Sequence, residues 1–499
     1  MNKKIYYLRY LLIAVAVPVI ISSIFLALEK GHQNLFSIMP SWNDEDFYFN
    51  QIKSILKYGQ PLGYYGYDGS HATVGNFGAH GWFILIPYVI FCSIFGLHLN
   101  SIAIANLIML MVAVFTYEML FKPTIKKAVL FATLIGSPML VFYVNTCMME
   151  GENYFWAIMS AVLMAHLVWH NGKTKAKAAL AVIITMAVLS KVTWAVLIFP
   201  FVLILLKDKQ IKGIVKTVIA GGITLVGGGI GYFVYGVFTA PYFKGTYFID
   251  IYLEQITQQG IVSGLIYIVK QFVGNMLSTF SLYGEGWIEI SKDYILAVAL
   301  VALLYWILYR KKAFSYIPIF VTTGFVCGIL LLYGANGAAV RNIYPATVFA
   351  ISYMLASLKT EKLKHFVYAV AAVFLAGTML VQAGEGFAKQ RWYSSENEKR
   401  YAEIERHMSN IKINEEAETP WDNTLVISYS SCPDTIYELF VPAGTGINYH
   451  MTLPEDMHEL QAKYILMSDM NENDLELAIN NNYVVIDTFE NVILLERKE

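Results

Sequence analysis

Charge is scarce in this chain. Asp, Glu, Lys and Arg make up 15% of its 499 residues, against about 25% in soluble globular domains. That shortage excludes the row of soluble domains, about three, that the length alone would allow. Cysteine is scarcer still. Cys92, Cys147, Cys327 and Cys432 are scattered without a C-x-x-C pair, which argues against a zinc site or a disulfide framework. No internal repeat of the inverted kind common in transporters is visible. What remains is apolar. Hydrophobic residues reach 57%, with 34 Tyr and 30 Phe, a composition suited to a bilayer flanked by aromatic belts. The chain reads as a polytopic membrane protein.

The net charge of −1 conceals a division. Residues 385–499 hold 22 acids and 9 bases, a net of −13, whereas residues 1–384 hold 15 acids and 27 bases, a net of +12. A basic membrane block therefore precedes an acidic, mostly soluble tail, and nucleic acid is excluded as a partner.

The basic start and the apolar run over about 7–28 resemble a signal peptide. The run is too long for one and lacks a small-residue cleavage site, so it reads as an uncleaved first span. Further apolar stretches recur near 101–121, 128–144, 153–170, 178–190, 192–206, 214–237, 294–309, 314–333, 343–358 and 365–383. Every second connection carries three or four bases: Lys122/Lys126/Lys127, Lys173/Lys175/Lys177, Lys207/Lys209/Lys212/Lys216, Arg310/Lys311/Lys312 and Lys359/Lys362/Lys364. With Lys3, Lys4 and Arg9 these place 19 of the 27 bases on one face, the positive-inside signature. The expectation is about eleven transmembrane helices, with the N-terminus cytoplasmic and the C-terminus outside. Trp82–Gly96 is assigned to the first outer loop as a juxtamembrane helix, because counting it as a span would put two lysine clusters on opposite sides. Residues 178–206 read as a shallow hairpin with Lys191 at its outer apex. Gly227 and Gly231, at G-x-x-x-G spacing in an apolar span, read as helix packing.

On this topology the polar chemistry lies outside. The first outer loop, about 29–100, contains Asp44, Glu45 and Asp46 at the start of a helix whose apolar stripe is Tyr48, Ile52, Ile55 and Leu56, ended by Gly59 and Pro61. Carboxylates in a first helical turn favour the helix dipole, but three exceed what one cap needs. A carboxylate here suits a general base for an acceptor hydroxyl. The amphipathic stripe suits a helix lying along the membrane surface. Glu150 and Glu152 open the helix after the short second outer loop and could converge with Asp44 and Glu45 on a sugar or on a divalent cation such as Mg or Mn. Cations outside are few. Lys191, at the hairpin apex, and Arg341, beside Tyr344 and Pro345, sit near membrane depth, where an ionisable group is a functional candidate by default. Both suit a lipid-linked phosphate. His80, with Asp68 and His71 in the Gly/Tyr-rich part of the first loop, is a further binding candidate, although ordinary loop hydrogen bonding explains it as well.

Residues 385–419 read as a helical connector, and 420–499 as a small extracytoplasmic α/β domain. There 423–430 and 462–469 read as strands, 434–440 and 472–481 as helices, and 483–498 as a hairpin turning at Glu490–Asn491. The tail carries no nucleophile elbow, phosphate loop or metal signature.

The acids of the first outer loop, an acid in the second, Ser190-Lys191 closing a short hairpin, and the Arg341-to-Pro345 run R-x-x-Y-P occur in an order that resembles the C-type glycosyltransferase superfamily, which includes protein O-mannosyltransferases and lipid A aminoarabinose transferases. The resemblance covers residues 1–384, the expected catalytic membrane domain. It implies transfer of a sugar from a polyprenyl-phosphate donor to a glycan, lipid or protein acceptor on the outer face. On that analogy Asp44 or Glu45 is the base of an inverting reaction, Arg341 and Lys191 stabilise the leaving phosphate, and Glu150 or Glu152 binds sugar or acceptor. The alternatives are a transporter or flippase of lipid-linked glycans, and a non-catalytic envelope assembly protein.

Overall fold

The computed structural model describes residues 3–28, 33–41, 43–62, 65–67, 82–137, 141–170, 174–237, 248–281, 316–334, 340–357, 391–417, 419–428, 435–450, 460–468 and 472–498. It is a mostly helical protein with a small C-terminal sheet. Helix α1 (Lys3–Leu28) is followed by α2 (Asn43–Tyr58) and α3 (Ile86–Phe95), then by α4 (Ser101–Phe121) and α5 (Ile125–Ile135). Next come α6 (Glu150–His170), α7 (Thr174–Ser190), α8 (Ile198–Leu205) and α9 (Gly213–Val237). The later helices of the membrane block are α10 (Phe248–Gln259), α11 (Ile261–Ser281), α12 (Ile317–Tyr333) and α13 (Val340–Ser357).

Among the described residues four stretches are long and apolar enough to cross a membrane: Ile5–Leu28, Ser101–Phe121, Gly213–Tyr235 and Ile261–Ser278. The last is an addition to the sequence reading, in which Lys270, Gln271 and Asn275 dilute the apolar signal. The expected spans at 294–309 and 365–383 lie outside the described residues. The expected stretch 128–144 is not one continuous helix, since α5 stops at Ile135 and a 3₁₀ turn follows at Phe142–Asn145. Residues 178–206 are interrupted at the expected place. Helix α7 ends at Ser190, Lys191 is extended, and a 3₁₀ turn at Val192–Leu197 leads into α8.

The bundle core is built around α6 and α13, whose facing residues Ala157, Ala161, Ala165, Ala346 and Ala350 are fully buried. Small side chains let the two backbones approach closely without polar glue. Helix α9 reaches α7 and α8 in the same manner, for a methyl group at Gly227 would lie 2.5 Å from Ile198 Cδ1, and one at Gly231 2.6 Å from Val188 Cγ1. The Gly227/Gly231 pair is thus a packing device.

Outside the bundle, α14 (Glu398–Met408) and α15 (Glu472–Asn480) accompany a six-stranded sheet. Its strands are β1 (Tyr65–Tyr67), β2 (Thr424–Ser428), β3 (Gly446–His450), β4 (Tyr464–Ser468), β5 (Tyr483–Phe489) and β6 (Val492–Arg497), in spatial order β1-β3-β2-β4-β6-β5. Strands β2 and β4 are buried throughout, as expected of parallel strands covered on both faces. The β5–β6 hairpin turns at Glu490, in the left-handed region at φ 53°. Strand β1 does not belong to the tail in sequence. It comes from the first outer loop and pairs in parallel with β3, Tyr65 opposite Ile447 and Tyr67 opposite Tyr449.

The tail also clamps α2. Lys53 Nζ donates to the carbonyls of Leu439 (2.6 Å) and Val441 (3.0 Å), Asn50 Nδ2 to that of Glu438 (2.7 Å), and the Gly444 amide to Ser54 Oγ (2.9 Å). These carbonyls end the 3₁₀ turn at Thr435–Phe440, so α2 supplies the cap that the turn's own backbone cannot. The stripe Tyr48, Ile52 and Ile55 is consequently covered by α3 and the tail and does not rest on lipid.

Burial lowers the Lys53 ammonium to about 8 from its ordinary 10.5, with the Glu405 carboxylate opposing. Between these values the unfolded chain holds the proton that the folded one has lost, so the folded state gains stability as pH rises through that window. Thermal unfolding of the wild type and Lys53→Met from pH 7.5 to 10 should show the wild type gaining on the variant as pH rises. Parallel curves would contradict the burial of this amine.

Candidate active site

The first turn of α2 gives its three acids different surroundings. Asp46 is fully buried, and its Oδ2 receives Arg391 Nη2 at 2.8 Å. Glu45 is nearly as buried, and its Oε2 accepts the Ser41 amide at 2.7 Å, reaching back over the helix start as an acid does in a capping box. The Ser41 hydroxyl in turn accepts the Arg391 amide at 2.8 Å, and Ile38 bridges to Trp392. Residues 37–41 and 391–393 thus form one short pleated contact. Asp44, by contrast, is half-buried.

The loop leading into α6 lies against these acids. Burial raises the Cys147 thiol well above its ordinary range, and the Glu45 and Asp46 carboxylates push it in the same direction. The loop is held by Asn106 of α4, whose Nδ2 donates to the carbonyls of Thr146 (3.2 Å) and Met148 (2.9 Å), while its Oδ1 accepts the Tyr88 hydroxyl at 2.6 Å. Tyr88 of α3 is within electrostatic reach of both Glu150 and Glu152.

Gly151 is required here. A methyl group on it would sit 2.1 Å from Asn106 Oδ1, and overpacking of this kind costs about 1–3 kcal/mol. Gly151→Ala should lower the melting temperature and, by displacing the second loop, the activity. Unchanged values for both would show that Asn106 has another place to go.

Glu152 is fully buried in the first turn of α6. Its Oε1 accepts Ser190 Oγ and Trp156 Nε1, each at 2.8 Å, while its Oε2 has no partner among the described residues. Asn153 Oδ1 accepts Trp194 Nε1 at 3.0 Å. These bonds tie both sides of the break between α7 and α8 to α6. At the break, Lys191 Nζ donates to Asn342 Oδ1 at 2.8 Å and lies 5.8 Å from the centre of the Tyr333 ring. Asn342 follows Arg341 in the first turn of α13. Tyr344, one turn further on, is half-buried and within electrostatic reach of Tyr154, which also senses Glu150.

The structure therefore gathers at one end of the bundle the sequence positions 44–46, 150, 152, 191, 341 and 344. The basic connection at Lys122 lies at the opposite end of α4, a helix about 30 Å long at 1.5 Å per residue. His80, Asp68 and His71 fall outside the described residues. No group of three or more His, Cys, Asp or Glu side chains is placed to hold a metal ion among the described residues. The proposed set of Asp44, Glu45, Glu150 and Glu152 does not assemble as a cation cage, because Glu45 is engaged at Ser41 and Glu152 at Ser190 and Trp156.

Four participants escaped the sequence reading of the site: Arg391, Asn106, Asn342 and Tyr88. Asn106 had a signal, being an amide within an otherwise apolar span.

No family model matches the chain, and no curated protein matches it by sequence. Solved structures resemble it over most of its length at low identity. The apo oligosaccharyltransferase of Archaeoglobus fulgidus is 13% identical, over 96% of this chain and 73% of that one, with a TM-score of 0.48. The Archaeoglobus fulgidus oligosaccharyltransferase AglB in complex with an inhibitory peptide and a dolichol-phosphate gives 14% over 94% and 70%, with a TM-score of 0.47. ArnT from Cupriavidus metallidurans bound to undecaprenyl phosphate gives 12% over 97% of both chains, with a TM-score of 0.48.

Proposed function

We propose that this protein is an integral membrane glycosyltransferase that moves a sugar from a polyprenyl-phosphate donor to a cell-envelope acceptor on the outer face of a bacterial plasma membrane. The observation that carries the reading is the joining of three separate loops at one end of the bundle: Glu152 to Ser190, and Lys191 to Asn342 beside Arg341. Carboxylates and cations so placed suit a reaction in which a hydroxyl loses a proton and a phosphate leaves with an electron pair.

In that reaction Asp44 takes the proton of the acceptor hydroxyl, whose oxygen attacks the anomeric carbon. The bond from that carbon to the phosphate oxygen breaks on the opposite side, the configuration inverts, and polyprenyl phosphate departs with the bonding pair. Lys191 and Arg341 offset the charge gathering on it, an electrostatic contribution of the kind that dominates many enzyme rate enhancements. Glu150, half-buried, contacts sugar or acceptor. Glu152 acts as a positioning residue, since its hydrogen bond to Ser190 fixes the hairpin apex that carries Lys191. The basic loops face the cytoplasm, and the acidic tail lies outside.

The test is a transfer assay with purified protein in nanodiscs, polyprenyl-phosphate-linked sugars and cell-envelope extract. Sugar should appear in the acceptor fraction with stoichiometric release of polyprenyl phosphate. Movement of the lipid between leaflets without transfer would make the protein a flippase instead. Labelling of cysteines introduced at 45 and 341 from the cytoplasmic side alone would overturn the sidedness.

A further inference from the structure

A groove of about 650 Å³ runs between α2, the loop joining α3 to α4, and the tail, within the range of about 300–1,000 Å³ typical of small-ligand sites. None of the residues assigned above to the reaction lines it. One wall is aromatic: Phe36, Tyr393 and Phe440. Phe36 is 74% exposed although it sits in a loop and not on a lipid-facing helix. Tyr393 is fixed by the hydrogen bond its backbone amide donates to the Ser37 carbonyl (2.7 Å) and by Tyr401, which stacks on Phe440 at 5.8 Å. The lining also offers the Glu405 carboxylate, the His98 imidazole and the Asn100 amide, set among the aliphatic side chains of Leu97, Leu99, Ile104 and Leu439.

The charge of the groove decides its ligand class. Its cation, Lys53, already donates to two tail carbonyls, and its anion, Glu405, offsets that charge. A phosphate or sulfate would find no surplus of positive charge. A chain of apolar carbons would leave the carboxylate, imidazole and amide without partners. A neutral saccharide suits the mixed lining, its ring faces lying on the aromatics and its hydroxyls bonding Glu405, His98 and Asn100.

We infer that this groove is a subsite for a neutral oligosaccharide, and that the acceptor is therefore a glycan several sugars long. The second clause rests on the transferase reading above. Glu45, Phe49 and Lys53 succeed one another at i, i+4 and i+8 along one face of α2. From Asp44 to Lys53 the helix rises roughly 13 Å, so a glycan seated in the groove extends along α2 toward the carboxylates, and its terminal hydroxyl is the one presented for reaction.

The experiment uses the full chain in nanodiscs and saturation-transfer NMR with neutral tetrasaccharides of glucose, galactose, mannose and N-acetylglucosamine. At least one should bind the wild type. Phe36→Ala and Glu405→Gln alter exposed side chains and leave the core intact. Glu405→Gln should weaken that binding about tenfold, the scale of one charge-assisted hydrogen bond, and Phe36→Ala about fivefold, the scale of one lost aromatic stacking face. Asp44→Asn should bind as the wild type does. Absence of any saccharide signal in the wild type, or equal signals in the groove variants, would overturn the proposal. Groove-dependent binding in a wild-type protein that transfers no sugar would retire the transferase reading and leave the saccharide site standing.

Discussion

Arg391→Ala should destabilise the protein by about 3–5 kcal/mol, the cost of leaving a buried carboxylate without its counter-charge. Asp46 is fully buried, and Arg391 is its ion-pair partner at 2.8 Å, four-fifths shielded itself. Removing the guanidinium leaves the buried Asp46 carboxylate without the cation that faces it at 2.8 Å. Arg391 also belongs to the contact that joins residues 37–41 to 391–393, so its loss should loosen the first turn of α2, where Asp44 lies. The double variant Arg391→Met/Asp46→Asn tests this account, because it removes both charges and keeps much of the volume. It should recover most of the lost stability. Thermal unfolding of the three proteins gives the answer. A double variant as unstable as Arg391→Ala would mean that the side chain matters through packing alone.

Much of this fold could be read from local pattern, and what could not depended on contacts distant in sequence. The period of Tyr48, Ile52 and Ile55, closed by Gly59 and Pro61, identified α2 nearly to its ends, because amphipathic periodicity is a local signal. The tail strands β2, β4, β5 and β6 and the turn at Glu490 were equally legible, being short β-branched runs between turn residues. Strand β1 was not. Its three residues, Tyr-Gly-Tyr, carry no strand signal of their own and become a strand only by pairing with β3, some 380 residues away. The same holds for Arg391, which in sequence is one charge in a charge-laced connector and gains meaning only against Asp46. Helix α11 was passed over for a different reason, since its polar residues Lys270, Gln271 and Asn275 lowered the mean hydropathy without shortening the helix.

The site follows the same rule. Lys191 stood out because cations are rare in the outer connections, but its partner Asn342 did not, since an amide beside an arginine is unremarkable in sequence. The ambiguity within the acidic triplet was likewise beyond the sequence, for three adjacent carboxylates look alike until their neighbours are known. In the fold one closes on Ser41 and one pairs with Arg391. Burial and hydrogen bonding, which depend on the assembled tail, separate them.

That separation gives the prediction with the largest effect on activity. Asp44→Asn should reduce the transfer rate by about 10²–10⁴-fold, the usual contribution of a positioned general base, while donor binding stays unchanged. Glu45→Gln should cost far less activity. Its side-chain carbonyl can still accept the Ser41 amide, so its role at the helix start survives the loss of charge. Asp46→Asn alone should weaken the buried pairing with Arg391 and appear mainly as lost stability. The three variants therefore divide into one catalytic, one nearly silent and one structural, although their side chains are consecutive in sequence. Single-turnover transfer with pre-bound donor, alongside thermal unfolding of each protein, distinguishes them. Full activity in the Asp44→Asn/Glu45→Gln double variant would remove the general base from the mechanism. A large loss in Glu45→Gln with little in Asp44→Asn would move the base one residue along the helix, to a carboxylate that would first have to release Ser41.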